Sequence, residues 1–311
     1  MSNAEMERNK AVALRFKKSQ GTKDMPQVEK EVLAPNYNRI RGGNFHLAAN
    51  ARDQDWPHPG MYLRTAFPDR VDVIEQVVAE GDTVGLLFRL NATHQGNLFG
   101  IAPTGRKIDV YEIALLRIVN GQMIEGWFMM DEAELLRQLG ARMPVRSDRR
   151  LIAPPVPELG ENGDVIVNRL SAGKPLSREE GHKIIMARSR TSSPSPDDRT
   201  ADFARKREAF QHFHDYGVAR GLGAQTLRSA IAGRRDPIDR FVADGDAAWM
   251  RFYLHGTHES NLYGLPPTGK RIGVPAVDVS RFTGGKWKES WCFGDELGLL
   301  LQLGVPNLLL E

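Results

Sequence analysis

The chain has 311 residues, of which 41% are hydrophobic and 26% are charged, and its formal net charge is +3 at pH 7. This length is about twice that of an ordinary domain, and the composition is typical of a globular protein, which excludes a disordered or fibrous chain. The near balance of charges argues against a nucleic-acid partner. A single cysteine, Cys292, argues against a disulfide or a cysteine-based zinc site, and the lack of a run of roughly 18 apolar residues argues against a membrane partner. We therefore expect a cytoplasmic protein.

In chain order, the first predicted element is an amphipathic helix over residues 4–18. Residues 84–92 alternate between apolar and polar as a strand does, and the Pro103-Thr104-Gly105 cluster predicts a wide connection to a second strand over 108–118. Asn120-Gly121 is typical of a hairpin turn, and it leads to a third strand over 123–130 and a short helix over 131–139.

Two proline-rich runs mark the middle of the chain. They lie within residues 143–196, which we interpret as a linker or arm with one short helix from Ser177 to Arg190. A second amphipathic helix is predicted from Asp202 to Tyr216, so that each half of the chain begins with a helix.

The sequence repeats itself at an offset of 164 residues. Thr93-His94 recurs as Thr257-His258, and Trp127 recurs as Trp291. About sixty positions align without a gap at about two-fifths identity, which indicates a gene duplication.

These patterns predict an α+β fold in which helices cover a curved antiparallel sheet. We expect a first module over residues 5–143, a linker over 144–200 and a second, shortened module over 201–311. Because each module has a sheet face to bury, we expect the two modules to pack as a pseudo-dimer. The sequence is also compatible with a homo-oligomer.

Each copy places a histidine at the end of an apolar strand face. His94 follows Phe88 on one face of its strand, and His258 repeats the pattern in the second copy. Such a histidine either contributes to a site or is a core residue bonded to a backbone carbonyl.

A row of acidic and aromatic residues is duplicated on the third strand. Glu125, Trp127, Met129 and Asp131 share one face, as do Glu289, Trp291, Phe293 and Asp295. A carboxylate beside aromatic rings can serve as a general acid or base, because desolvation raises its pKa. Asp131 also has the spacing of a helix N-cap, which would favour its charged form.

Several motifs resemble the SnoaL-like polyketide cyclase (ester cyclase) family along nearly the whole first copy. They are the run from Thr93 to Arg106, Phe67-Pro68-Asp69, Glu80-Gly81-Asp82, and Asn120-Gly121 leading to Trp127 and Asp131. The resemblance implies a cone-shaped fold shared with ketosteroid isomerase and nuclear transport factor, which encloses an apolar pocket. It also implies an aldol cyclisation that needs no cofactor and no metal, with an aspartate as acid/base at Asp131 and Asp295.

The two copies differ at positions that bear on a pocket. Ser260 stands in the place of Gly96, and the second copy is expected to lack a counterpart of residues 46–69, which we expect to cover the first pocket. Asp278 stands in the place of Ala114, whereas Glu112 corresponds to Ala276. We therefore expect the first copy to retain the working site, since a missing cover would admit water.

Three functions fit the sequence. The first is a cofactor-independent cyclase, isomerase or hydrolase acting on a small apolar carbonyl compound. Its expected acid/base residues are Asp131 and Asp295 with His94 and His258, and its expected substrate-binding residues are Phe88, Glu125, Trp127, Met129, Asp278, Trp291 and Phe293. The second is a non-catalytic protein that binds a small apolar molecule, and the third is a purely architectural duplication with filled pockets.

Overall fold

The computed structural model describes residues 2–51, 59–144, 146–173, 175–191, 195–222 and 227–310, and for residues 59–62 it describes the backbone alone. The chain divides into two compact units, one comprising Met1–Pro154 with Pro306–Glu311 and the other Pro155–Val305. Each unit combines one mixed sheet with helices, so the predicted α+β class is confirmed. Among the residues described, no helix combines the length and apolar character that a membrane span requires.

The first unit has five helices and five strands among its described residues. In chain order they are α1 (Asn3–Ser19), α2 (Met25–Val32), β1 (Leu33–Arg41), α3 (Phe45–Ala51), α4 (Pro59–Ala66), β2 (Val71–Glu80), β3 (Thr83–Thr93), β4 (Lys107–Val119), β5 (Gln122–Met130) and α5 (Glu132–Leu139). The strand order is β1-β5-β4-β3-β2, with β1 parallel to β5 and the other pairs antiparallel. The predicted strands and the first and last helices are all present, but the strands β1 and β2 and the helices α2, α3 and α4 were not predicted.

The core of this unit lies between α1 and one face of the sheet. Phe16 of α1 packs in a single cluster with Leu86 of β3, Ala114 of β4 and Phe128 of β5. The alternation of side chains along β3, β4 and β5 turns these residues toward α1. The apolar residues of α1 are therefore buried by the strands that the sequence repeats.

The second unit has the elements α6 (Gly163–Ser171), α7 (Arg178–Arg188), β6 (Arg199–Arg207), α8 (Gln211–Ala219), α9 (Leu227–Ala230), β7 (Ile231–Arg235), β8 (Ile238–Asp244), β9 (Ala247–His258), β10 (Arg271–Thr283), β11 (Lys286–Gly294) and α10 (Glu296–Leu303). A short 3₁₀ helix lies at Pro196–Asp198, and another, at Leu308–Leu310, belongs to the first unit. The strand order is β6-β11-β10-β9-β7, and β8 also pairs with β9.

The interpretation of residues 144–200 as a linker differs from what the structure contains. Helices α6 and α7 lie in this stretch, and Ile166 and Met186 are buried in one core cluster with Met250 and Phe252 of β9. The second unit therefore takes its covering helices from the stretch interpreted as a linker.

The helix predicted from Asp202 to Tyr216 is wrong in its first half. Residues up to Arg207 form strand β6, which pairs in parallel with β11, and α8 begins only at Gln211. Pairing with the edge of the sheet overrides the helical pattern of the local sequence.

The 164-residue offset is conserved in the elements themselves. β10, β11 and α10 begin and end 164 residues after β4, β5 and α5. The packing of the two units as a pseudo-dimer stays a prediction.

The second copy is not shortened in the way that we expected. The backbone N–H of Leu47 in α3 donates to the buried carboxylate of Glu132, and the N–H of Phe213 in α8 donates to Glu296 in the same way. Helix α8 therefore corresponds to α3 at an offset of 166 residues. Because this offset is two residues longer than the 164 of the repeat, the match is hidden in the gap-free alignment.

Gly96 permits a close approach between α4 and the connection after β3. A Cβ atom added to Gly96 would lie 2.2 Å from the backbone oxygen of Thr65.

We expect Gly96→Ala to lower the free energy of unfolding by about 1–3 kcal/mol, because backbone atoms would have to move. Gly181→Ala in α7 is the control, because nothing lies within 4 Å of its added Cβ. Chemical denaturation of both variants checks the prediction, and equal stabilities would contradict it.

Candidate active site

Strand register decides which side chains share a face of the first sheet. Phe128 of β5 pairs with Ala114 of β4, which pairs with Leu86 of β3, and these three residues belong to the core under α1. Trp127 pairs with Leu115, one position further along, and therefore lies on the opposite face.

Trp127, which we expected to bind substrate, therefore lies on the other face of the sheet from Leu86 and Phe128. Met129 and Glu125 share the face of Trp127, and Glu125 pairs with Arg117 at 2.7 Å. Phe88, in contrast, lies on the core face together with Leu86. Of the residues predicted to bind substrate in the first copy, Phe88 alone lies on the core face of the sheet.

The second unit repeats this separation. Cys292 of β11 pairs with Asp278 of β10, whereas Trp291 pairs with Val279 and Phe293 with Val277. Asp278 is fully buried on the core face, and Trp291 and Phe293 lie on the other.

Asp131 and Asp295 both act as helix N-caps. The Oδ1 atom of Asp131 accepts a hydrogen bond from the N–H of Glu134 at 3.0 Å, and Asp295 accepts one from Gly298 at 3.0 Å. The cap was one of the two roles that the sequence left open. Their acid/base roles stay predictions.

His94 and His258 hold the wide connection between two strands in each unit. Both rings are fully buried, and the Nδ1 atoms accept hydrogen bonds from the N–H groups of Thr104 and Thr268 at 3.2 and 3.3 Å. Burial lowers the pKa of each histidine. These contacts agree with a core role, and hydrogen bonding to the backbone at Gly96 and Ser260 partly opposes the effect of burial on the two pKa values.

The first unit contains a cavity of about 380 Å³. Its lining combines aromatic and charged side chains from α1, the sheet and the segments that cover it. They include Phe16, Lys17, Tyr37, Arg39, Phe67, Arg70, Glu112 and Phe128.

A buried cluster of four charged side chains lies at this cavity, and three of them, Lys17, Arg70 and Glu112, line it. Arg70 donates two hydrogen bonds to Asp72, at 2.8 and 3.0 Å, and the Nζ atom of Lys17 lies 3.0 Å from the same carboxylate. The Lys17 ammonium also lies 3.7 Å from the ring centroid of Phe88. Burial lowers the pKa of Lys17, although Asp72 and Glu112 oppose that effect.

Glu112 is the fourth charge, and it is the least satisfied. The residue is 3% exposed, and its Oε2 atom lies 3.5 Å from Arg70 but has no hydrogen-bond partner among the described residues. A buried carboxylate oxygen without a partner is costly, and it marks a place where a ligand or a transferred proton can bind.

The second unit holds a related cavity of about 460 Å³. Arg190 lies over the ring of Phe252 at 3.9 Å, as Lys17 lies over Phe88, and Arg234 donates two hydrogen bonds to Asp236. At the position of Glu112, however, this unit has Ala276.

Comparison with known proteins supports the interpretation of two related modules. The SnoaL-like polyketide cyclase family matches residues 61–139 and 217–303, which together make up more than half of the chain. The chain belongs to the SnoaL-like polyketide cyclase family. Both matches fall within the two repeated units.

Individual relatives are more distant. The chain is 31% identical over 71 residues to an aklanonic acid methyl ester cyclase of Streptomyces peucetius, covering 22% of this chain and 49% of that protein. It is 37% identical over 60 residues to a nogalonic acid methyl ester cyclase of Streptomyces nogalater, covering 19% of this chain and 45% of that protein. The chain thus spans about half or less of the length of these relatives. A solved structure of a SnoaL-like cyclase from Jannaschia sp. CCS1 is 25% identical, with a TM-score of 0.37, covering 45% of this chain and 96% of that one.

Sequence reasoning missed most of the charged cluster of this family member. Arg70 and Asp72 recur as Arg234 and Asp236 at the same offset of 164, and this duplicated Arg-x-Asp pattern could have identified them. Lys17 and Arg190 could not be matched in this way, because both precede the gap-free part of the repeat.

The carboxylate of Glu112 packs directly against Gly43. A Cβ added to Gly43 would lie 2.2 Å from the Oε1 atom of Glu112. In the second unit, Ala209 stands at the position of Gly43, and Ala276 stands at the position of Glu112. The two positions have therefore changed together between the copies.

We expect Gly43→Ala to destabilise the first unit by about 1–3 kcal/mol, since the carboxylate would have to move. The double variant Gly43→Ala/Glu112→Ala reproduces the pair of the second unit, so it should recover most of that loss. A double-mutant cycle measured by chemical denaturation checks the coupling. Additive effects of the two substitutions would show that the positions are independent.

Proposed function

We propose that the first unit is a cofactor-independent, polyketide-cyclase-like enzyme that acts on a small apolar carbonyl compound. The observation that carries the proposal is the Oε2 atom of Glu112, a buried carboxylate oxygen without a hydrogen-bond partner among the described residues in a cavity of about 380 Å³. Aromatic side chains such as Phe16 and Phe128 offer apolar walls to the substrate.

The proposed reaction is an intramolecular aldol cyclisation. Glu112 removes a proton from the carbon next to a carbonyl group, and the resulting enolate carbon forms a bond to a second carbonyl carbon of the same molecule. The alkoxide produced by this attack then takes the proton back from Glu112, so no atom is gained or lost.

The cations beside Glu112 support the same chemistry. Negative charge develops first on the enolate oxygen and then on the alkoxide, and fixed positive charges in a water-poor cavity stabilise it. Lys17 and Arg70 both line the cavity, and Asp72 holds both of them in place.

This proposal transfers the acid/base role from Asp131 to Glu112. Asp131 already uses Oδ1 to cap α5, and a cap stabilises the ionised carboxylate, which works against proton donation. The expected functional asymmetry remains, but it now depends on the replacement of Glu112 by Ala276 rather than on a missing cover.

Aklanonic acid methyl ester and nogalonic acid methyl ester, the substrates named for the two relatives, are the first compounds to assay. We expect Glu112→Gln to lower kcat about 10²-fold or more, because the amide cannot accept the proton. Asp131→Asn should mainly lower stability, by about 1 kcal/mol, as should the control Asp295→Asn at the matching cap.

Three outcomes would contradict the proposal in different ways. Full turnover by Glu112→Gln together with loss of turnover in Asp131→Asn would return the acid/base role to Asp131. Turnover lost through Asp295→Asn alone would move the active site to the second unit. Binding of either ester without any turnover would favour the non-catalytic binding protein.

A further inference from the structure

The cavity of the second unit differs from the first in its charge. Its lining includes aromatic residues such as Phe210, Phe252 and Tyr263, which suit an apolar body. Five arginines also line it, namely Arg190, Arg199, Arg205, Arg228 and Arg234. An apolar cavity with so many guanidinium groups suits an amphipathic ligand.

Three acidic side chains neutralise three of these arginines. Asp236 pairs with Arg234 at 2.8 Å, and Glu208 lies 3.7 Å from Arg205. The Oδ2 atom of Asp278 lies 3.2 Å from Arg190.

The remaining two arginines leave the cavity with a surplus of positive charge. Arg199 stacks over Phe203 at 4.6 Å, and neither it nor Arg228 has a carboxylate partner in the ranges of the chain that the structure describes. Both side chains are exposed to solvent, which screens their charge, so the largely buried Arg190 matters most for binding an anion.

Asp278 is an anchor for this arrangement. Its Oδ1 atom accepts hydrogen bonds from the hydroxyl groups of Ser280 and Ser290, at 3.0 and 2.8 Å, while Oδ2 bonds to Arg190. Both oxygens of Asp278 accept hydrogen bonds, whereas the Oε2 atom of Glu112 accepts none from the described residues. Asp278 thus fixes the position of Arg190 in the wall of the cavity.

Arg190 keeps one donor unused. Its side chain is 12% exposed, and its buried Nε atom has no hydrogen-bond partner within the part of the chain that is described. Its two terminal nitrogens already face Asp236 and Asp278, but an unpaired guanidinium N–H at the wall of a cavity can donate a charge-assisted hydrogen bond to a carboxylate.

We infer that the second cavity binds a small amphipathic carboxylate, with the apolar body against Phe252 and the carboxylate at Arg190. This binding does not depend on the chemistry proposed for the first cavity, because the charged groups that support it all belong to the second unit. The duplicated module then serves two ligand classes, a carbonyl compound in one copy and an anion in the other.

Isothermal titration of the full chain with anthraquinone-2-carboxylate and with the neutral anthraquinone-2-carboxamide tests the inference. We expect the carboxylate to bind about tenfold more tightly than the amide, and this preference to weaken with added salt. Arg190→Lys should remove most of the preference, since the lysine keeps a cation over Phe252 but loses the planar donors. Lys17 stands in that setting in the first unit, so the substitution is one that the fold accepts.

Arg39→Gln, which changes a cation lining the first cavity, is the matched control and should leave carboxylate binding unchanged. Equal affinities for the carboxylate and the amide would overturn the inference, as would no binding of the carboxylate. Loss of carboxylate binding in Arg39→Gln but not in Arg190→Lys would place the anion in the first cavity and would overturn it as well.

Discussion

Successive side chains of a strand point to opposite faces of its sheet, and along the central strands of both units this alternation decides which residues meet the cavity. A change of one position moves a residue from the cavity to the opposite face. Phe128 lines the first cavity while its neighbour Trp127 lies on the other face, although both are aromatic and buried. Every assignment of function to these strands depends on that register.

The buried charges are the second constraint that the two units share. Each unit places a cation over a phenylalanine ring and pairs it with an aspartate that an arginine also binds. Such a cluster is costly to desolvate and is stable only when all its members are present. The two copies have both kept this cluster, but the acidic residue beside it differs. It is Glu112 in the first unit, and in the second unit it is Asp278, which lies two positions after the counterpart of Glu112.

Much of the fold could be predicted from the sequence, because strand periodicity and the 164-residue repeat are local signals. The turn at Asn120-Gly121 and the strands on both sides of it lie where they were predicted. Strand β6 and the packing of α6 and α7 could not be predicted, since both depend on contacts with residues distant in the chain. The face on which Trp127 lies could not be predicted for a related reason: parity within β5 was correct, but the face that the helices cover is set by the neighbouring strands and by α1.

The account predicts that substrate binds on the core face of the first sheet, at Glu112. A crystal structure of the full chain with aklanonic acid methyl ester bound tests this most directly. We expect the ligand in the first cavity, with a carbon next to one of its carbonyl groups within about 3.5 Å of the Oε2 atom of Glu112 and no contact with Trp127. A ligand bound against Trp127 and Asp131, away from Glu112, would contradict the account.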